Sequence, residues 1–326
     1  MNSRPRLPDR HAIEDAVRIV RAAMPATPQY AWPQLCGLLG AEVWLKHENH
    51  TPVGAFKLRG GLVYFDGLRR RDPDCRGVVA ATRGNHGQSV AFAARRYGMA
   101  ATIFVPHGNS REKNAAMRAL GATLIEHGED FQAAREAAGR YAQAHAMHFV
   151  PSYHADLVRG VATYWMEFFG AAAALDVVYV PIGQGSGISA CIAARAALGL
   201  RTRIVGVVSA HAPCYARSFA ARRPIEAPVT TALADGLACR VPDAEALAII
   251  VAHVDEIVQV ADAEVADAMR LLFSATHNVA EGAGAASLAA ALKQRESLAG
   301  RRIGLTLTGG NVDTGVFAQV LEGRTA

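Results

Sequence analysis

The feature that most limits what this chain can fold into is its alternation of short runs rich in Val, Ile and Thr with Ala-rich amphipathic stretches. Runs apolar on both faces need cover on both sides. Parallel strands need long crossovers, and a helix supplies both requirements at once. The pattern predicts strands at Gly77 to Thr82, Ala101 to Val105 and Ala122 to Ile125, with helices at Gly87 to Tyr97, Lys113 to Leu120 and Phe131 to Ala144. A second set follows: strands at Val177 to Pro181, Arg203 to Val208, Glu256 to Val260 and Ile303 to Thr308, with helices at Ser189 to Leu198 and Asp262 to Ser274. The expectation is an α/β protein with two open, mostly parallel twisted sheets flanked by helices. A small domain at 70–150 interrupts a large domain made of 1–69 and 151–326. At 326 residues there is enough chain for both and for a cleft between them.

Basic and acidic residues number 34 and 29 and are spread along the chain, apart from short runs such as Arg69-Arg70-Arg71. A nucleic-acid footprint is a denser basic stripe, so no nucleic-acid partner is expected. The five cysteines are scattered, with no C-x-x-C and no His pair at metal-ligand spacing, which suits reduced thiols in the cytoplasm and no metal site. Met1 to Arg10 is polar, without the apolar stretch of a leader, and no run reaches the roughly 18 apolar residues of a membrane span. A cytoplasmic protein without a membrane partner is expected.

Four segments carry chemistry. In Thr51-Pro52-Val53-Gly54-Ala55-Phe56-Lys57-Leu58-Arg59-Gly60-Gly61 a lysine follows a glycine turn among small and apolar neighbours. Desolvation there lowers its pKa and readies it to form an imine, although an interface lysine looks similar. Thr82-Arg83-Gly84-Asn85-His86-Gly87-Gln88-Ser89 lies between a strand end and a helix start. Free N–H groups at such a junction receive a carboxylate or phosphate; a simple Asn-capped turn is the alternative. Ile182-Gly183-Gln184-Gly185-Ser186-Gly187 repeats the arrangement with three glycines in five residues. G-x-G-x-G is not the dinucleotide fingerprint, and no acidic residue ends the next strand, so a monophosphate is the better fit. Finally, Leu307-Thr308-Gly309-Gly310-Asn311 opens a glycine turn at a strand end.

In this order the four segments resemble the fold-type II pyridoxal-phosphate family that contains threonine and serine dehydratases and serine racemase. The family pattern is S-F-K-x-R-G, S-x-G-N-H, a tetraglycine loop and S-G-G-N. Ala234-Asp235-Gly236 and Glu281-Gly282-Ala283-Gly284-Ala285 add to the likeness, which covers most of the chain from about 40 to 315. The resemblance implies that Lys57 binds pyridoxal 5'-phosphate as a Schiff base and, once freed, removes the α-proton. Phe56 would lie beside the ring, Asn85 would meet its 3'-oxygen, and Gly183, Gln184, Gly185, Ser186 and Gly187 would cradle the phosphate. Thr308 would face the pyridine nitrogen, and Glu281 is an acidic residue near the ring. Thr82, Arg83, Gly84 and His86, with Ser152, would line the substrate side.

The departures fall mostly on that side. Ala55 replaces the family serine, Gln184 and Ser186 replace two glycines, and Arg83 stands where relatives carry a small residue. In racemase-like members that position holds the serine that acts as the opposite acid/base, so dehydration rather than racemisation is implied. Arg83 could bind a substrate carboxylate or close the two lobes through a salt bridge. His86 and His211 read as hydrogen-bonded pocket or surface histidines, with a metal or acid/base role as the alternative. The stretch Val208-Ser209-Ala210-His211-Ala212 lacks the carboxylate with which some relatives bind a divalent cation.

The implied activity is a pyridoxal-phosphate-dependent dehydratase, or ammonia-lyase, that converts a threonine- or serine-like β-hydroxy amino acid to a 2-oxo acid and ammonia. A bulkier or acidic substrate such as 3-phenylserine or 3-hydroxyaspartate, a β-replacement synthase and a non-catalytic cofactor-binding protein are the alternatives. A homodimer is compatible with the chain, and no regulatory domain is expected after the last motif.

Overall fold

The computed structural model describes residues 7–172 and 174–324; residues 1–6 of the stretch examined for a leader lie outside them. Its elements run α1 (Arg10–Arg21), β1 (Gln29–Ala31), α2 (Pro33–Leu39), β2 (Glu42–His47), α3 (Lys57–Arg71), β3 (Gly77–Ala81), α4 (Asn85–Arg96), β4 (Ala100–Val105) and α5 (Arg111–Ala119). There follow β5 (Thr123–Glu126), α6 (Phe131–Ala144), β6 (His148–Phe149), α7 (Ala155–Ala171), β7 (Val177–Pro181), α8 (Ser186–Ala197), β8 (Arg203–Ser209) and α9 (Cys214–Ala221). The chain closes with α10 (Ala244–His253), β9 (Glu256–Val260), α11 (Asp262–Thr276), α12 (Gly282–Lys293), β10 (Arg302–Leu307) and α13 (Thr314–Leu321).

Two sheets form, as the strand pattern requires. One is four-stranded, in the order β5-β4-β3-β6, and is parallel throughout. The other is six-stranded, in the order β1-β2-β10-β7-β8-β9, and is parallel except for the edge pair β1-β2. The larger sheet draws strands from before and after the smaller one. Its apolar faces are covered on one side by α7, α8 and α10, with Trp165, Phe168, Ile188 and Ile250 buried against Val178 and Ile204. On the other side α11 and α12 bury Met269, Leu272 and Leu288 against Val205, Val258 and Leu305.

Parallel strands end on the same side of a sheet, so the turns that follow β7 and β10 are neighbours, and the turn after β3 in the smaller sheet reaches them through the Asn311–Asn85 hydrogen bond. Those turns hold three of the four sequence motifs.

The two sheets' helices also complete one another. Asp313, ahead of α13, accepts hydrogen bonds from Ser110 Oγ and from the backbone N–H groups of Arg111 (3.2 Å) and Glu112 (3.3 Å) at the start of α5. Glu112 in return accepts one from the backbone N–H of Thr314 at 2.8 Å, at the start of α13. Each helix start, with its unpaired N–H groups and partial positive charge, is thus met by a carboxylate from the other. Among the described residues, no helix is long and apolar enough to cross a membrane.

Candidate active site

Lys57 is the first residue of α3, and the turn before it is fixed from several sides. Thr51 Oγ1 donates to the Ala55 carbonyl (2.8 Å) and accepts from the Ala55 N–H (2.9 Å), closing the turn on itself. The Phe56 N–H donates to the Thr308 carbonyl at 3.0 Å and the Gly310 N–H to the Gly54 carbonyl at 3.0 Å, which ties the turn to the end of β10. Gly54 has φ +68°, and a Cβ there would meet Asn311 Oδ1 at 2.6 Å. A side chain would therefore part the two motifs.

Two residues along α3, Arg59 anchors the helix in a buried charge cluster. Its guanidinium donates to Glu48 (2.7 and 3.0 Å), to Glu167 (2.9 and 2.9 Å), to Thr163 Oγ1 (3.2 Å) and to Thr27 Oγ1 (3.2 Å). Lys46 adds a bond to Glu167 at 2.8 Å. Arg59, Glu48 and Lys46 are all 0% exposed. Burial of unpaired charge would be prohibitive, so the cluster holds only because it is saturated. Burial opposes the charge on Glu167, but the hydrogen bonds and charge of Arg59, together with Lys46, outweigh it and keep that carboxyl ionised below its usual range.

The Lys57 amine opens into a pocket lined by Phe56, Thr82, Arg83, Gly84, Asn85, His86, Ser152, Gly183, Gln184, Gly185, Ser186, Gly187, Glu281 and Thr308, and also by Lys113 and Asp235. Every site residue anticipated from the motifs and the resemblance lines this one pocket. Lys57 Nζ donates to Ser186 Oγ at 3.0 Å. Loss of solvent lowers its pKa to about 8, so roughly a tenth to a fifth of the amine is neutral near physiological pH, far more than for an ordinary lysine.

The glycine turn before α8 is shaped for an anion. Gly185 has φ +96°, where an L side chain is strained, and a Cβ on Gly183 would stand 2.2 Å from the Gly236 carbonyl oxygen. Helix α8 carries no side-chain cap, so its first N–H groups remain available.

The Thr82–His86 turn is organised by Thr82 Oγ1, which accepts from the N–H groups of Gly84 (2.9 Å) and Gly87 (3.2 Å). Asn85 is oriented at both ends of its amide: Nδ2 donates to Glu281 Oε1 (2.6 Å), and Oδ1 accepts from Asn311 Nδ2 (2.8 Å). His86 is held neutral, its pKa lowered to about 3 by burial and then by the nearby Lys57 charge. Thr308 Oγ1 donates to the Ala283 carbonyl at 3.3 Å.

Lys113 and Asp235 received no role from the sequence. Lys113 lies in the first turn of α5, which follows the carboxyl end of β4 as the other site segments follow their strands; that position was the available signal. Its amine is 3.2 Å from Glu281 Oε2 and 3.8 Å from Asp235 Oδ2. Burial works against its charge, but Glu281 and Asp235 outweigh it and hold its pKa above the ordinary value. Arg83 Nη2 stands 3.4 Å from Asp235 Oδ1.

An aldehyde-bearing phosphate ester suits this pocket: a partly neutral lysine amine, an uncapped helix start behind a glycine turn, and hydroxyl and amide groups between them. Lys57 would hold it by its carbonyl carbon, Gly183 to Gly187 by its phosphate, and Asn85 and Thr308 by the ring's polar atoms.

A family model described as pyridoxal-phosphate dependent enzyme matches residues 20–309. An L-threonine ammonia-lyase of Thermotoga maritima is 32% identical over 311 residues, covering 95% of this chain and 77% of that one. An L-threo-3-hydroxyaspartate ammonia-lyase of a Pseudomonas species is 34% identical over 301 residues, covering 91% and 93%. Maize serine racemase superposes with a TM-score of 0.89 at 26% identity, covering 98% of each chain. With the lysine, the glycine cradle and the Asn turn assembled around one pocket, the chain belongs to the family of pyridoxal-phosphate dependent enzymes, and pyridoxal phosphate is its cofactor.

Proposed function

We propose that this enzyme is a β-hydroxy amino acid ammonia-lyase that removes water from a free amino acid in the cytoplasm and releases a 2-oxo acid and ammonia. The observation that carries this reading is Lys57, an amine with its pKa lowered to about 8, opening into the pocket that also holds the Thr82–His86 turn. Relatives named for ammonia release from L-threonine and L-threo-3-hydroxyaspartate support the choice of reaction.

The bound cofactor supplies an electron sink for negative charge at the substrate α-carbon. The rest falls to the protein. The N–H groups of Thr82 and Gly84 are bonded within the protein, and those of Arg83, Asn85 and His86 would hold the α-carboxylate and so orient the α-hydrogen. The free amine of Lys57 would take that hydrogen as a proton. Ser186, one hydrogen bond from Lys57 Nζ, steers the amine, and the protonated lysine can return the proton to the departing β-hydroxyl as water. Thr308 offers the ring a neutral hydroxyl and no carboxylate, so charge at the α-carbon is not stored for long; loss of the β-hydroxyl outruns transamination. His86, neutral at pH 7, adds no positive charge beside Lys57.

Residues 70–150 would close over the substrate as a small lobe against 1–69 and 151–326. Arg83 with Asp235, Lys113 with Glu281, and the Asp313–α5 contacts all join these parts across the pocket mouth or beside it.

The test is a screen of L- and D-forms of threo and erythro β-hydroxy amino acids for 2-oxo acid and ammonia. Turnover by the wild type and its loss in Lys57→Ala are expected. Full ammonia release by Lys57→Ala would refute the assignment.

A further inference from the structure

The pocket mouth holds a cation that the proposed chemistry does not use. Arg83 follows Thr82 in the turn that would hold the α-carboxylate, yet its buried Nε has no hydrogen-bond partner. Its nearest carboxylate is Asp235, 3.4 Å from Nη2, too far for the strong bidentate pair a guanidinium makes when matched. Asp235 is equally loose toward Lys113, at 3.8 Å. Glu281, the other carboxylate here, accepts from Asn85 through Oε1 at 2.6 Å, while its Oε2 has only the Lys113 charge 3.2 Å away and no hydrogen bond.

A second observation concerns Gly84. Its φ is +155°, and a Cβ there would fall 2.3 Å from Lys113 Cδ and 3.1 Å from Lys113 Cγ. The absent side chain lets the lysine stem lie directly over the turn, so Arg83 and Lys113 converge on it from two elements. The Lys113 side chain is 8% exposed and that of Arg83 34%: one is built in, and the other stands at the opening.

We propose that Arg83, backed by Lys113, forms a subsite for a second carboxylate on the substrate's β-carbon, and that Asp235 is the internal carboxylate it displaces. This rests on the function proposed above and narrows it: the preferred substrate is a 3-hydroxyaspartate-type amino acid, with hydroxyl and carboxylate on the same carbon. The two carboxylates of such a molecule lie on adjacent carbons. One turn, with N–H groups on its backbone and a guanidinium on its second residue, is placed to take both. Phe131, Leu237 and Ala238 also line the pocket, so an aromatic β-substituent is the rival occupant.

Steady-state kinetics of the holoenzyme with L-threo-3-hydroxyaspartate, L-threonine, L-serine and L-threo-3-phenylserine decide between them. The wild type is expected to favour hydroxyaspartate in kcat/KM. Arg83→Gln should lower the hydroxyaspartate-to-threonine ratio by about 10- to 150-fold, the range set by one charged hydrogen-bond pair. Arg83→Lys should recover part of it. Asp235→Asn should move the ratio the other way, because the competing carboxylate is gone.

A salt bridge that merely closes the pocket gives the opposite pattern: Arg83→Gln and Asp235→Asn then depress all four substrates together and leave the ratio fixed, which overturns the proposal. A preference for phenylserine that survives Arg83→Gln overturns it as well. Succinate binding, followed by calorimetry, reads the subsite without turnover: it should weaken in Arg83→Gln by more than butyrate binding does. If none of the four amino acids releases ammonia, the parent reading fails and succinate still decides the subsite, since equal binding to wild type and Arg83→Gln rejects it.

Discussion

Arg59 and Arg83 each sit within a motif of the site and each faces a carboxylate from a distant part of the chain, Glu167 and Asp235, but they are held in opposite ways. Arg59 is fully buried and makes six hydrogen bonds, four of them to Glu48 and Glu167. Arg83 is one-third exposed, leaves its Nε unbonded and meets Asp235 only at 3.4 Å. A saturated guanidinium has no capacity for a ligand and serves as an anchor; an unsaturated one at a pocket mouth is free to bind. The first fixes where α3 begins, and therefore where Lys57 is. The second bears on what Lys57 acts upon.

Substitution tests that contrast. Arg59→Leu leaves Glu48 and Glu167 buried with less counter-charge and should cost about 3–5 kcal/mol in urea unfolding, lowering turnover of every substrate alike. A loss confined to one substrate would erase the distinction between anchor and subsite. Lys57 itself should show its burial in the pH dependence of cofactor capture. Imine formation needs the neutral amine, and with a pKa of about 8 against 10.5 for an ordinary lysine, the neutral fraction rises as pH climbs through 8. Rebinding of pyridoxal phosphate, followed by its absorbance, should quicken roughly tenfold from pH 7 to pH 9 and then level off. A rise that continues to pH 10 would mean the amine is solvated.

Asp313→Ala removes a carboxylate cap from α5 and should cost about 1 kcal/mol in thermal unfolding. With Glu112→Ala the losses should be non-additive by about 0.5 kcal/mol or more, because the two caps depend on the same approach of the helices. Smallest of all, Arg83→Gln should shift unfolding by less than about 0.5 kcal/mol, as expected of a side chain outside any saturated network. A penalty comparable to that of Arg59→Leu would make it an anchor too.

Much of this was legible in the residues. The strands Val177–Pro181 and Glu256–Val260 and the helix Phe131–Ala144 fall where the pattern places them, because apolar runs and amphipathic stretches leave unambiguous periods. Helix starts were less sharp: α8 begins at Ser186 and α4 at Asn85, two or three residues before the expected positions, since residues that read as a glycine turn are already helical. Helix α12 left no amphipathic stripe to find. Residues of α12 from Gly282 to Ala291 are buried all round, so nothing alternates with water. At the site, the motif residues were visible because each lies beside a diagnostic glycine. Lys113 offered only its place after the carboxyl end of β4, and its pairing with Asp235 arises from the approach of α5 to the segment after α9, a juxtaposition that neither local sequence records.

The crossed caps of α5 and α13 bear on how those two helices can part. Hydrogen bonds fail within a fraction of an ångström of stretch, so these contacts do not loosen by degrees. Drawing the helices apart strips both starts of their carboxylates in the same movement, and water must then replace several bonds together. Separation of the two helices is therefore a single event with a definite threshold, set by two carboxylates that lie outside the lining of the Lys57 pocket.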